Sequence, residues 1–188
     1  MSQALVIVNI GQLVTLAGPP RPRTGRELSE LGIIPNAALF IENGRIVAAG
    51  PYVDLKPQIP SHAAVIDAEQ RCVTPGFIDA HTHLVFAGNR AAEYEQRIAG
   101  ATYQEIAAAG GGILSTVAKT RSATEDELLA VARTHRNWML RAGTTTLEAK
   151  SGYGLDLDTE LRILRVLQRL NSEGPARIIP TLDRKSVV

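Results

Sequence analysis

The chain has 188 residues, of which 45% are hydrophobic, and its 20 basic and 19 acidic residues give a formal net charge of +1. This composition is ordinary for a folded protein and argues against intrinsic disorder. The near-neutral charge gives no electrostatic reason to expect binding of nucleic acid or of an anionic membrane. A small-molecule substrate is therefore the expected partner.

The sequence also indicates a cellular compartment. Its single cysteine, Cys72, excludes an intramolecular disulfide framework. The N-terminal stretch MSQALVIVNIGQLVTL has neither a basic region nor a small-residue cleavage site. No apolar run approaches the roughly 18 residues that a membrane helix needs. These features predict a cytoplasmic protein.

Residues 1–62 are predicted to form β structure. ALVIVN and QLVTL are short strand candidates, and ALFIENGRIVAAG is predicted to be a hairpin because Asn43 and Gly44 suit a type I′ turn between alternating apolar residues. The segment AGPPRPRTGRELSELGIIPN is rich in proline and glycine. It is expected to be a loop with at most one helical turn.

From residue 63 onward, strand-like runs alternate with helical ones, which favours βα units around a parallel sheet. The clearest helix is predicted from residue 125 to about residue 142, with Thr124 and Glu127 forming a capping box. TTTLEA follows as a strand, a second helix is predicted over about 159–170, and ARIIPT begins another strand. AGGGILSTVAKTR lacks the Gly-Lys-Ser/Thr ending of a P-loop and is expected to be a mobile loop.

The stretch PGFIDAHTHLVFAGNR, residues 75–90, places His81 and His83 at the end of a short strand. Residues i and i+2 of a strand point the same way, so both imidazoles are expected on one face and Thr82 on the other. Imidazole nitrogen is a common ligand of zinc and iron, and catalytic sites keep one coordination position open. Taken alone, two histidines at this spacing also fit polar residues that merely cap a strand.

A β-rich N-terminal piece followed by βα units whose first strand ends in His-x-His resembles the amidohydrolase superfamily. The resemblance rests on PGFIDAHTHLVFAGNR, AGGGILSTVAKTR, AGTTTLEAKSGYGL and the hairpin around IENGRIVAAG, within residues 37–155. PGFIDAHTH identifies only the superfamily. The continuations FAGNR and KSGYGL are similar to the imidazolonepropionase family.

The resemblance implies an α/β fold: a truncated (β/α)8 TIM-type barrel in residues 63–182, preceded by part of a small β-sandwich domain in residues 1–62. A complete barrel needs roughly 250 residues, so this region is expected to reach only about the third strand. The resemblance places a further histidine ligand, an aspartate ligand and the catalytic carboxylate outside this chain. No catalytic acid or base is therefore assigned, and the 188-residue chain alone is expected to be inactive. The charged ending DRKSVV, residues 183–188, is expected to be a non-native tail.

The implied activity is hydrolysis of the cyclic amide of 4-imidazolone-5-propanoate to N-formimidoyl-L-glutamate, a step of histidine degradation. It uses a water activated by one divalent or trivalent metal ion, zinc or iron. The resemblance makes His81 and His83 metal ligands and makes Arg90 and Tyr153 substrate-binding residues. It leaves open whether the full-length protein is a homodimer.

The residue types are consistent with these roles. Arg90 lies seven residues beyond His83, and a planar guanidinium can bind the propionate of the substrate in a bidentate way. Tyr153 lies between two glycines that allow close approach to a ligand. The alternatives are a solvated loop arginine and a half-buried packing tyrosine. The family resemblance makes Lys150 a structural residue rather than the carboxylated lysine that bridges two metals in some amidohydrolases.

Two other classes of function remain open from the sequence. PGFIDAHTH also permits a different member of the superfamily, such as a hydantoinase-like or deaminase-like enzyme. The chain could instead be a non-catalytic fragment that acts only by binding. Substrate assays separate the first alternative, and a metal assay separates the second.

Overall fold

The N-terminal sheet is built from the apolar alternating runs seen in the sequence. In the computed structural model, which describes residues 4–183, the sheet has the order β3-β2-β1-β4, with β5 also pairing with β1. Its strands are β1 (Ala4–Val14), β2 (Ile33–Glu42), β3 (Arg45–Pro51), β4 (Ala64–Asp67) and β5 (Cys72–Val73). A 3-10 helix (Gly25–Ser29), the short helix α1 (Tyr52–Leu55) and a 3-10 turn (Lys56–Gln58) connect them.

The predicted hairpin is confirmed. β2 and β3 pair antiparallel, and the turn residues Asn43 and Gly44 have φ angles of 52° and 75°, as a type I′ turn requires. The two predicted N-terminal strands form the single strand β1, interrupted by a register shift between Ile7 and Ile10 where Asn9 has a φ of 55°. Such a bulge lets one strand continue while changing its twist.

The division between the two units of the chain lies later than the sequence suggests. The predicted boundary is 62/63, whereas the structure divides into residues 1–75 and 76–188. The reason is backbone pairing. β4 pairs in parallel with β1 from Leu5↔Ala64 to Val8↔Asp67. β5 pairs in parallel with the later part of β1, at Gln12↔Cys72 and Leu13↔Val73. Because β4 and β5 complete the N-terminal sheet, they belong to the first unit.

The second unit contains the predicted βα units. Its three strands are parallel in the order β6-β7-β8. They are β6 (Phe77–Thr82), β7 (Thr144–Lys150) and β8 (Arg177–Thr181). The helices are α2 (Ala91–Ile98), α3 (Tyr103–Ala108), α4 (Ile113–Ser122), α5 (Glu125–Arg141) and α6 (Leu157–Ser172).

The helix predicted over 125–142 is confirmed as α5, together with its capping box. The Thr124 hydroxyl accepts a hydrogen bond from the Glu127 N–H at 3.3 Å, and the Glu127 carboxylate accepts one from the Thr124 N–H at 2.8 Å. The Thr124 N–H and the Thr124 hydroxyl both donate to the Glu127 carboxylate, and these two bonds hold the pKa of that carboxyl below its ordinary value. Two of the N–H groups that lack a partner inside the helix are thereby satisfied.

The core of the second unit lies between the sheet and helices α5 and α6. Leu147 and Ala149 of β7 are fully buried against apolar side chains that include Leu128 of α5 and Leu167 of α6. Since side chains alternate along a strand, Glu148 and Lys150 project from the opposite face of β7. The packing of one face of β7 therefore determines which side chains are available on the other.

The segment AGGGILSTVAKTR differs from its prediction as a mobile loop, because most of it is helix α4. The helix begins after Gly112, whose φ is +75°, and buries Thr116, Val117 and Thr120. Thr120 lies four residues after Thr116 and three after Val117, so the three side chains share one face of the helix. Two of the three are threonines, so the sequence shows no apolar stripe.

Two further expectations concern membranes and the C-terminal tail. Within residues 4–183, no helix is both long and apolar enough to span a membrane. Of the predicted non-native tail, residues 184–188 lie outside the described part of the chain. Asp183 is described, and its backbone N–H donates to the Ser151 hydroxyl at 3.0 Å.

Candidate active site

His81 and His83 lie together at the carboxyl end of β6. Their ring centroids are 5.8 Å apart. Thr82 lies on the other side, where its hydroxyl donates to the backbone carbonyl of Glu148 at 2.7 Å. The Asp79 carboxylate accepts the His81 backbone N–H at 3.1 Å, which ties that carboxylate to the strand. The structure thus gives the two imidazoles the common direction that strand alternation predicts.

The chemistry of His83 suits a metal ligand. Its Nδ1 atom is buried and has no hydrogen-bonding partner among the described residues. A buried polar nitrogen without a partner is unfavourable, and a metal ion would use its lone pair. Within residues 4–183, however, no group of three or more His, Cys, Asp or Glu side chains is placed to hold a metal ion. The two imidazoles alone are fewer than the three protein ligands that a catalytic zinc site usually has.

Glu148 is a residue of this face that the sequence reasoning missed. Its carboxylate accepts hydrogen bonds from the Lys150 ammonium and the Thr181 hydroxyl, both at 2.8 Å. These two bonds, aided by the positive charge of Lys150, hold the pKa of the Glu148 carboxyl below its ordinary value. Glu148 is consequently an anion at neutral pH. The alternation of TTTLEAK around the apolar Leu147 was the signal that could have identified it.

Lys150 is engaged in this ion pair. Its Nζ lies 2.8 Å from Glu148, and both side chains are about one quarter exposed, at 21% and 27%. A salt bridge of this kind agrees with the structural role that is expected for Lys150.

Tyr153 is brought to His83 by the loop that follows β7. The two ring centroids are 5.3 Å apart in an edge arrangement, and Tyr153 also contacts Phe86 at 5.4 Å. Aromatic rings at such separations stabilise one another and fix orientation. Two predicted site residues from different parts of the sequence therefore meet in the structure.

The loop carrying Tyr153 is held from two sides. The buried carboxylate of Glu160, in the first turn of α6, accepts three backbone N–H groups of the loop. On the other side, the Arg121 guanidinium donates to the Gly154 carbonyl at 2.6 Å and pairs with Asp156 at 2.9 Å. Glu160 was not recognised in the sequence, because an acidic residue in a first helical turn is usually exposed.

Arg90 is oriented by a carboxylate on the helix that it begins. Its Nε donates to Glu93 at 2.7 Å, and the other carboxylate oxygen of Glu93 accepts the Gly112 N–H at 3.0 Å. Because this contact uses Nε, the edge formed by Nη1 and Nη2 is not occupied by Glu93. The Arg90 side chain is 46% exposed, whereas that of Glu93 is 13% exposed. Glu93 therefore orients a cation that remains accessible.

A cavity of about 510 Å³ adjoins these groups. It is lined by Phe86, Gly88, Asn89, Arg90, Ile113, Thr116, His135, Trp138 and Tyr153. Among these lining residues Arg90 has the only permanent charge, and most of the others are apolar or aromatic. This combination is typical of a site for a small molecule that carries one anionic group.

His135 forms part of the cavity wall. Its Nδ1 is 3.0 Å from the Leu84 carbonyl, which agrees with a structural role. Its ring also stacks on Phe86, with centroids 4.9 Å apart. The ring thus supports the aromatic side of the cavity that Tyr153 also lines.

Comparison with protein families agrees with this arrangement. The family described as "Amidohydrolase family" matches residues 64–181. The imidazolonepropionase of Solibacter usitatus is 60% identical over 175 residues, covering 93% of this chain and 42% of the relative. That of Chloroflexus aggregans is 50% identical over 178 residues, covering 94% and 41%. The chain thus spans about two fifths of the length of these curated relatives.

Solved structures show the same fold at low identity. Guanine deaminase from Bradyrhizobium japonicum aligns with a TM-score of 0.64 at 19% identity, covering 99% of this chain and 38% of that one. Atrazine chlorohydrolase from Arthrobacter aurescens, solved in complex with zinc, aligns with a TM-score of 0.57 at 16% identity, covering 94% and 35%. At these identities the likeness establishes a mixed α/β fold shared with amidohydrolases.

The support of the Arg90 loop by α4 gives a stability prediction. The fully buried Thr120 hydroxyl accepts the Ala87 N–H at 3.0 Å. Thr120→Val keeps the shape but leaves that N–H without its acceptor, so we expect the free energy of unfolding to fall by about 1–3 kcal/mol. Urea titration measures this change. Thr134→Val, at an exposed position of α5, is the matched control and should change stability by less than about 0.5 kcal/mol. Equal effects of the two variants would contradict the prediction.

Proposed function

The chain belongs to the amidohydrolase family, and we propose that it is part of an imidazolonepropionase. This enzyme opens the cyclic amide of 4-imidazolone-5-propanoate to N-formimidoyl-L-glutamate in histidine degradation. The main support is the 60% identity to the Solibacter usitatus relative, together with a cavity lined by both Arg90 and Tyr153. Below, the full-length enzyme is a protein that contains this chain together with the region that is present only in its longer relatives.

The proposed architecture is that of a (β/α)8 barrel with a small β domain. The parallel strands β6, β7 and β8 would be the first three barrel strands, and the N-terminal sheet of β1 to β5 would be part of the β domain. In such barrels the active site forms at the carboxyl ends of the strands. His81, His83 and Tyr153 all lie at or just after strand ends in this chain, as that arrangement requires.

His81 and His83 would hold one zinc or iron ion, with the remaining ligands supplied by residues outside this chain. A bound ion of this kind polarises a ring carbonyl and makes a water more acidic. The support in this chain is the common direction of the two imidazoles and the unpartnered Nδ1 of His83.

Arg90 and Tyr153 would recognise the substrate. The Nη1 and Nη2 edge of Arg90 can form a planar pair of hydrogen bonds with the propionate, while Glu93 holds Nε. Tyr153, in edge contact with His83, would place the imidazolone ring beside the histidines. Binding through the remote carboxylate thereby orients the amide at the reacting centre.

The assignment is tested by the substrate range of the full-length enzyme. We expect metal-dependent hydrolysis of 4-imidazolone-5-propanoate, monitored by the loss of its ultraviolet absorbance, and no comparable turnover of hydantoins or guanine. The physical reason is that neither comparison substrate carries the propionate that Arg90 would bind. Preferential turnover of a hydantoin or of guanine would overturn the proposal.

Replacing either histidine tests the proposed metal site. His81→Ala or His83→Ala in the full-length enzyme should remove most of the bound metal and most of the turnover, because each removes one of the few protein ligands. Metal content is measured by elemental analysis of the purified variants. His62→Ala, at an exposed position of the first unit, is the control and should retain normal metal content. Near-stoichiometric metal in both site variants would exclude this assignment.

Replacing Arg90 tests carboxylate recognition. Arg90→Ala should raise KM for 4-imidazolone-5-propanoate about ten- to a hundredfold, since a hydrogen-bonded ion pair contributes roughly 1.5–3 kcal/mol. Metal content should stay unchanged. Arg97→Ala, on the exposed surface of α2, is the matched control and should leave KM within about twofold. An unchanged KM in Arg90→Ala would mean that Arg90 is a solvated loop residue.

A further inference from the structure

Glu160 is a fully buried acidic residue that the proposed chemistry does not use. Its Oε1 accepts the N–H groups of Gly154 and Leu155 at 2.7 and 2.9 Å, and its Oε2 accepts that of Gly152 at 2.6 Å. A buried carboxylate is unfavourable unless its oxygens are well hydrogen-bonded. Here every one of these bonds goes to the short loop that contains Tyr153.

The loop requires such an external partner because its own backbone is not in a relaxed conformation. Gly152 has a φ of +129°, and Leu155, which is not a glycine, has a φ of +55°. A leucine in the left-handed region is uncommon and is held there by its surroundings. The N–H of Leu155 donates directly to Glu160, so the carboxylate stabilises the residue whose conformation is least favourable.

The loop also packs closely against α6 at Gly154. A Cβ atom added to Gly154 would lie 2.8 Å from the Thr159 side chain and 2.9 Å from Oε1 of Glu160. The loop backbone therefore lies directly on the first turn of α6. Tyr153 projects from between the anchored Gly152 and Gly154, and its ring contacts His83.

We propose that Glu160 is a positioning residue, which holds the Tyr153 loop so that the tyrosine ring stays beside His83 and can contact the substrate. This inference rests on the proposed function, because it assumes that Tyr153 binds the substrate. Both carboxylate oxygens of Glu160 act as acceptors for the three N–H donors. A glutamine offers an acceptor at one end and a competing N–H donor at the other.

The decisive variant is Glu160→Gln in the full-length enzyme. We expect KM for 4-imidazolone-5-propanoate to rise about tenfold, with unchanged metal content, because a hydrogen bond to a charged group is lost and the loop loosens. In a Tyr153→Ala background, Glu160→Gln should change KM by less than about twofold, since the residue through which it acts is gone. Asp158→Asn, at an exposed position of the same helical turn, is the matched control and should leave KM unchanged.

Hydrogen exchange gives a readout that does not depend on activity. In Glu160→Gln, at least one of the amides of Gly152, Gly154 and Leu155 should exchange about tenfold faster than in the unmodified enzyme. If Glu160→Gln does not fold, Arg121→Met removes the opposite contact, from Arg121 to the Gly154 carbonyl, at a side chain that is 46% exposed. It should raise KM in the same Tyr153-dependent way.

The outcomes separate the two proposals. An unmodified enzyme that does not hydrolyse the substrate overturns the proposed function, and the exchange rates then decide alone whether Glu160 holds the loop. An active enzyme whose KM is unaffected by Glu160→Gln overturns the positioning role. Equal effects of Glu160→Gln with and without Tyr153 overturn it as well, because they show a general structural effect.

Discussion

The candidate site depends on the burial of one face of β7. Leu147 and Ala149 are fully buried against α5 and α6, and this packing fixes the direction of every other side chain of the strand. A shift of one residue would bury Glu148 and Lys150 and expose two apolar side chains, which the hydrophobic effect strongly opposes. Because β7 pairs with both β6 and β8, the same constraint sets the register of all three strands.

Strand packing alone does not orient the loops that carry Arg90 and Tyr153. Those loops are held by polar groups on two helices: Thr120 of α4 accepts the Ala87 N–H, and Glu160 of α6 accepts three N–H groups around Tyr153. Each acceptor is fully buried. Buried hydrogen bonds to loop backbone restrict conformation more than surface contacts do, because breaking one leaves an unsatisfied group. Buried polar groups of α4 and α6 thus hold the loops of the candidate site in place, although most of the cavity lining comes from other elements.

The sequence predicted what depends on periodicity and on local turn chemistry. The hairpin at Asn43 and Gly44, the capped helix α5 and the strand TTTLEA were all identified, because each has a short-range signal, and the strand extends one residue further, to Lys150. The predicted boundary at 62/63 differs from the division after Pro75 in the structure, because the pairing of β4 with β1 joins residues that are far apart in the sequence. Helix α4 was missed because its buried face contains threonines. Glu160 could not be identified, because burial of an acidic residue follows from tertiary packing alone.

The residues of the candidate site fall into two groups that are held in different ways. Arg90 and Tyr153 both line the cavity from loops that follow β6 and β7, and both loops are held by buried polar groups of the same unit, Thr120 and Glu160. His81 and His83 differ, since within residues 4–183 no third His, Cys, Asp or Glu side chain is placed to hold a metal ion with them. The positions of Arg90 and Tyr153 are thus set by contacts within this unit, whereas the metal site that we propose would need ligands in addition to His81 and His83. His83 belongs to both groups, because its ring contacts Tyr153 and its buried Nδ1 has no hydrogen-bonding partner among the described residues.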